Sequence, residues 1–263
     1  MLPVIRLGPV VLQLPGLVLL AGLWFAISAM EKEAKRLKLD AEAIIKILAY
    51  AGAAGLVSAR LVFAARRSEI YLANPLGLLA LDAGTLDLAG GILVGAVVAF
   101  ILGRRHLLPL RSTLDALAPG LAVLAISVGG AHLLSGEAYG NPTALPWGID
   151  LWGARRLPTQ VFEIAAAAAV FAAWGVSARR LSMPGAAFLL WLTLQAAAVI
   201  LIAAFRADVA IWAAGVRATQ VVALALASAG LVFAFQWRRA DGGKAGGSRR
   251  VSGSSSPRTH QRS

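Results

Sequence analysis

Apolar residues run along this chain in seven long stretches, at roughly residues 9–30, 43–65, 88–103, 113–134, 160–177, 185–205 and 217–237, parted by short polar segments. About 20 apolar residues carry a helix across a bilayer, so the pattern predicts an all-α integral membrane protein with about seven transmembrane helices. The third stretch is short, and Gly90 and Gly91 at its start predict a tightly packed or partly re-entrant beginning. The first exceeds the apolar core of a secretory leader and is followed by the charged EKEAKRLKLD, so it reads as a retained span. Residues 1–239 form one polytopic domain on this reading. Residues 240–263, rich in Gly, Ser and Arg, form a disordered basic cytoplasmic tail.

Composition narrows the function classes. Of 263 residues, 59% are hydrophobic and 14% charged, and the mean hydropathy is +0.74. Soluble domains carry roughly 25% charged residues, which excludes an ordinary water-soluble enzyme. A net charge of +12 would suit nucleic acid, but the basic residues sit in short clusters between apolar runs and leave no continuous face to track phosphates. No nucleic-acid partner is expected. Cysteine is absent, and the three histidines are scattered, so neither a metal site nor a cofactor is expected.

The charges instead report orientation. With the N-terminus outside and the C-terminus inside, segments 31–42, 104–112, 178–184 and 238–263 face inward and hold sixteen Lys or Arg. The outward segments hold seven: Arg6, Arg66, Arg67, Arg155, Arg156, Arg206 and Arg217. The positive-inside rule therefore favours this orientation.

Ionisable groups inside a bilayer cost about 2.5 kcal/mol or more, which makes each a functional candidate. Arg60 lies deep in the second stretch, where it either snorkels toward lipid phosphates or faces the bundle interior and clamps a phosphate. Lys46 is placed to snorkel, and Asp115 to support the start of the fourth helix. The segment from Gly129 to Glu163 stands apart. It gathers His132, Ser135, Gly136, Glu137, Tyr139 and Gly140, then a loop with Trp147 and Trp152 suited to the interface. It closes with Pro158, Gln160 and Glu163, the last two sharing a helix face. Arg206 and Asp208, after the sixth stretch, are spaced to pair.

Taken in order, GPVVLQ, GLVSARLVF, NPLGLLALDAGTLDLAGGILVG, LDALAPGLA, SGEAYGNPT–LPWG…RRLPTQVFE, FRAD and ATQVVALALASAGL resemble the prolipoprotein diacylglyceryl transferase family along nearly the whole chain. The resemblance implies a multi-pass protein of the bacterial inner membrane. It implies transfer of a diacylglyceryl group from phosphatidylglycerol to the cysteine thiol of lipobox-containing preproteins, with glycerol phosphate leaving. Glu137 and His132 are then the expected catalytic groups. Arg60, Gly90, Gly91, Gly136, Gly140, Gln160, Glu163 and Arg206 are expected to bind substrate. The chain departs from the family pattern at several positions. Ala89 and Leu157 stand at usual histidines, Gly129 and Val199 at usual arginines, Ala203 at a glutamate, His132 at an asparagine and Pro15 at a tyrosine. His132 either serves as a relocated base or satisfies backbone. The alternatives to an active transferase are a catalytically degenerate relative that binds phospholipid or lipoprotein precursor, and a small-solute transporter. The lack of visible repeats disfavours the transporter.

Overall fold

The computed structural model describes residues 4–7, 10–73, 77, 83–211, 215 and 217–251. Their elements, in chain order, are β1 (Val4–Leu7), β2 (Val10–Gln13), α1 (Leu14–Arg36), α2 (Ala41–Arg66), α3 (Ser68–Ala73), α4 (Leu88–Arg105), α5 (Leu110–Ser135), β3 (Ile149–Leu151), β4 (Ala154–Arg156), α6 (Thr159–Ser177), α7 (Ala186–Ala203) and α8 (Ala218–Val251). Seven helices, α1, α2 and α4 to α8, are long and apolar enough to cross a membrane. Large apolar side chains such as Leu20, Trp24, Phe25, Ile92 and Leu231 stand exposed on them, as lipid-facing positions do.

Helix ends differ from the hydropathy boundaries for local reasons. The first span begins at Leu14, not near residue 9, because residues 10–13 pair as strand β2 with residues 4–7, antiparallel to β1. It then continues beyond Met30 as a charged helix, held by Lys35–Glu31 at 2.5 Å and by Arg36 on Glu33. The fourth span begins at Leu110, so Asp115 lies in the second turn rather than at the start. That carboxylate is buried and lies within electrostatic reach of Arg36. Lys46 is exposed and pairs with Glu42 at 2.6 Å. Helix α8 runs on past residue 239 to Val251. The side chains from 242 on and residues 252–263, which carry most of the expected tail, lie outside the described residues.

The chain divides into two compact units, residues 23–121 and residues 1–22 with 122–263. In the first, α2 packs along α4. The contact is built from small residues one turn apart, Ala51, Gly55 and Ala59 on α2 against Gly91 and Gly95 on α4. A methyl on Gly91 would lie 2.9 Å from both Ala59 Cβ and Gly55 O, and one on Gly95 would lie 3.0 Å from Ala51 O. Small residues let backbones meet where lipid gives no hydrophobic drive. Gly90 is equally filled by Val62, and α4 is one continuous helix from Leu88, so the beginning of the third span is tightly packed. Asp87 caps α4 by accepting from Gly90 N–H at 2.7 Å and also binds Arg66 at 2.8 Å. Near the start of α5, Gly120 lies against Met30 and the Ala26 carbonyl. Ala34, Ile44 and Ala116 make a small core beside it.

In the second unit, α6 packs on α7 and α7 on α8. Gly185 takes a left-handed backbone (φ +89) under the Trp237 ring, a site that admits no side chain. Gly129 on α5 faces Ile164 so closely that a methyl would lie 3.2 Å from its backbone nitrogen and 3.4 Å from Glu163 Cβ. The missing side chain lets the first turns of α6 close on α5.

Candidate active site

Helix α5 ends where its sequence permits a reversal. Gly136 has φ +80, and its N–H reaches back to the His132 carbonyl at 2.9 Å, the geometry of a glycine helix stop. The chain then runs between isolated β-bridges, Gly140 to Arg206 and Pro142 to Arg156, in a segment that hydropathy read only as loop. On one side Asn141 N–H donates to Phe205 O and Ala207 N–H to Tyr139 O, both at 2.9 Å. On the other side Thr143 N–H donates to Arg155 O and Leu157 N–H to Asn141 O, joining the β3–β4 hairpin. Trp152 and Gly153 turn that hairpin with positive φ at both positions, and Trp152 Nε1 donates to Gly136 O at 3.0 Å. Gly140 sits against Leu157, where a Cβ would strike the Leu157 carbonyl.

Helix α6 starts after Pro158, as its sequence suggests, and its first two residues lock the loop. Thr159 and Gln160 are both fully buried. The Thr159 hydroxyl donates to Ala138 O at 2.5 Å, and Gln160 Nε2 donates to Glu137 O at 2.8 Å. One turn further, Glu163 joins groups from three segments. Its Oε2 lies 2.8 Å from His132 Nδ1, and its Oε1 accepts from Arg206 Nη1 at 2.8 Å. Arg206 then binds Asp208 through two bonds, Nε to Oδ1 at 2.9 Å and Nη2 to Oδ2 at 2.8 Å. The result is a linear chain of charge, His132–Glu163–Arg206–Asp208. Its side chains are 17% to 25% exposed.

Two members lie outside the spans and show what the arrangement does. Burial alone would raise the Asp208 carboxyl, but the Arg206 hydrogen bond and charge, with N–H donors from Asp208 itself and Ala138, outweigh it and hold it below the ordinary range. Burial would lower the Arg206 guanidinium, but the hydrogen bonds and charges of Asp208 and Glu163 raise it above its usual value. The pair therefore stays ionised, and through Ala138 it is tied to the same loop that Thr159 and Gln160 hold.

The chain of charge borders a cavity of about 310 Å³ lined by His132, Glu163, Arg206, Gln195, Thr219 and apolar neighbours on α5 to α7. Of the expected site residues, the structure brings together His132, Glu163 and Arg206. Glu137 does not line the cavity; its side chain is exposed, and its carbonyl is the group that Gln160 holds. Gly136 and Gly140 end a helix and admit a strand contact. Arg60, Gly90 and Gly91 belong to the unit formed by residues 23–121. There Arg60 donates to Thr85 O at 3.1 Å and Gly77 O at 2.6 Å, and it lies 5.6 Å from the Tyr71 ring. The clamp it forms is thus on backbone carbonyls. Gln195 and Thr219 join the site as well; their signal in the sequence is a polar residue within an apolar stretch.

A family model for prolipoprotein diacylglyceryl transferase matches residues 3–236. The chain belongs to the prolipoprotein diacylglyceryl transferase family. Relatives named phosphatidylglycerol–prolipoprotein diacylglyceryl transferase include one from Synechococcus elongatus, 27% identical over 54% of this chain and 50% of its own length. A second, from Streptomyces coelicolor, is 32% identical over 62% of this chain and 52% of that protein. Against these two the chain spans about half the relative's length. A third, from Streptococcus uberis, is 28% identical over 90% of this chain and 95% of its own. Gly129, Val199, Ala203 and His132, positions where the resemblance implies other side chains, all line the cavity.

Proposed function

We propose that this chain transfers a diacylglyceryl group from phosphatidylglycerol to the cysteine thiol of a lipobox-containing preprotein. In this reading it spans the bacterial inner membrane with its N-terminus outside, its basic C-terminal tail in the cytoplasm and the loop between α5 and α6 at the outer surface. Family membership along residues 3–236 is the observation that carries it. The His132–Glu163–Arg206–Asp208 chain beside an open cavity supports it, since the reaction requires a proton acceptor for the thiol and ordered charge near the reacting carbon. The sixteen-to-seven distribution of basic residues supports the orientation. The test is complementation of a strain depleted of its own diacylglyceryl transferase, with thioether lipid on a lipobox peptide as the readout for the purified protein. Growth and lipidated peptide are the expected result; good membrane expression with neither would overturn the reading.

A second reading, a relative that binds phospholipid or preprotein without turnover, is favoured by one observation. The guanidinium groups expected to hold phosphate, Arg60 and Arg206, are engaged by internal carbonyls and carboxylates. Co-purified lipid with no transfer would be its mark.

A further inference from the structure

The cavity beside His132 has a polarity that argues about which substrate it takes. Glu163 and Asp208 outnumber Arg206, so with a neutral imidazole the charged chain carries one net negative charge. Three of the five N–H donors of Arg206 are already used on those carboxylates. Asp208 lies outside the lining, and a phosphate entering here would find the guanidinium that borders the cavity already neutralised by two carboxylates.

The wall also offers acceptors that hold no hydrogen. Gln195 lines the cavity, and its Oε1 is buried without a hydrogen-bond partner. His132 supplies a second acceptor. A carboxylate only accepts, so the 2.8 Å contact with Glu163 fixes the hydrogen of the neutral ring on Nδ1 and leaves Nε2 as a lone pair. His106, the other described histidine, is exposed at the end of α4 in the unit formed by residues 23–121. The local sequence explains why the contact exists. Gly129, one turn before His132, has no side chain to keep the first turns of α6 away, and Glu163 Cβ comes within 3.4 Å of where its Cβ would be.

We propose that this cavity receives the thiol of the acceptor peptide and not the phosphate of the donor lipid, with His132 Nε2 as the proton acceptor and Glu163 as its positioning residue. The inference rests on the transfer reading above. In the step, Nε2 takes the thiol proton and the sulfur pair forms the S–C bond at the glyceryl carbon. The C–O bond to phosphate breaks, its electron pair leaves on glycerol phosphate, and the imidazolium returns its proton to water. Glu163 keeps Nδ1–H in place and faces the imidazolium charge as it forms. Gln195 Oε1 accepts from the incoming peptide.

The experiment uses the full chain in nanodiscs containing phosphatidylglycerol and a pair of fluorescent lipobox peptides, one with Cys and one with Ala at the acceptor position. The Cys peptide is expected to bind about fivefold tighter than the Ala peptide, the worth of one net hydrogen bond. That preference should vanish in His132→Asn and in Val199→Phe, whose ring fills the cavity. Transfer by His132→Asn should fall about 10²- to 10⁴-fold, with binding of phosphatidylglycerol unchanged, and added imidazole should restore part of it in His132→Ala. Glu163→Gln should lower kcat with little change in peptide KM. Equal binding of the two peptides by the wild type would overturn the placement of the thiol whether or not transfer occurs. Full transfer by a folded His132→Asn would overturn the role of the base while leaving the family activity standing. Preference for the Cys peptide without any transfer would sustain the placement and overturn the activity instead.

Discussion

Gly140 separates two roles a glycine near a site can have, one serving substrate and one serving the fold. A methyl added there would strike the Leu157 carbonyl and lie 2.7 Å from Leu157 Cβ and 3.0 Å from Thr159 Cγ2. The first of these is backbone and cannot rotate aside, so the bridged segment must leave its neighbours. The bonds at stake are Leu157 N–H to Asn141 O and Asn141 N–H to Phe205 O, at 3.0 and 2.9 Å. Each is worth about 1 kcal/mol net, and more where a buried acceptor is left unpaired, so Gly140→Ala should cost about 2–4 kcal/mol. For a chain of this size that lowers Tm by roughly 5–10 °C. The assay is thermal unfolding of the detergent-solubilised protein, run beside limited proteolysis of the 137–158 loop, which should become faster. Unchanged Tm and unchanged cleavage, with only a raised KM for substrate, would refute the reasoning and return Gly140 to the binding site.

Other outcomes follow from contacts of the same kind. Thr159→Val keeps the volume but leaves the Ala138 carbonyl unpaired, and should cost about 1–3 kcal/mol in the same unfolding assay. Gly91→Leu should force α4 from α2, seen as loss of a disulfide engineered between the two helices or as failure of the protein to enter the monodisperse peak on size-exclusion chromatography. Because the Asp208 carboxyl is held below its ordinary range, its contribution to stability is complete above the unfolded value near 3.9 and is lost as pH falls through the lowered native value. Asp208→Asn should therefore flatten the acid limb of a Tm-against-pH curve, and an unchanged limb would show that the pair carries no such linkage. Arg206→Lys keeps one positive charge but cannot bridge Glu163 and Asp208 with a rigid fork, so it should lower Tm and loosen the 137–142 segment to proteolysis.

Much of the architecture was legible in the chain. Seven apolar stretches become seven long apolar helices, and the ordered motifs carry the family across residues 3–236. Pro158 does open α6, and Arg206 does bind Asp208, because both are settled within a few residues. Other polar residues have surroundings that a long-range contact decides. Asp115 has the local look of a helix start, yet it sits buried in the second turn near Arg36, from another helix. Arg60 has the look of a lipid or phosphate ligand, and two distant backbone carbonyls take it. Glu137 is an acid beside an apolar stretch by sequence, and the fold uses its carbonyl and leaves its side chain exposed.

The sequence by itself determined how many times the chain is suited to cross a membrane and which family it belongs to, because hydropathy and motif order are sums over neighbouring residues. Only the tertiary structure decided what the polar residues are for. Glu163 meets His132 from 31 positions away and Arg206 from 43, and the first meeting depends on Gly129 having no side chain at the close approach of two helices. No periodicity encodes such a contact. The helices must first pack, and in a low-dielectric site each buried charge then requires the partner that packing brings.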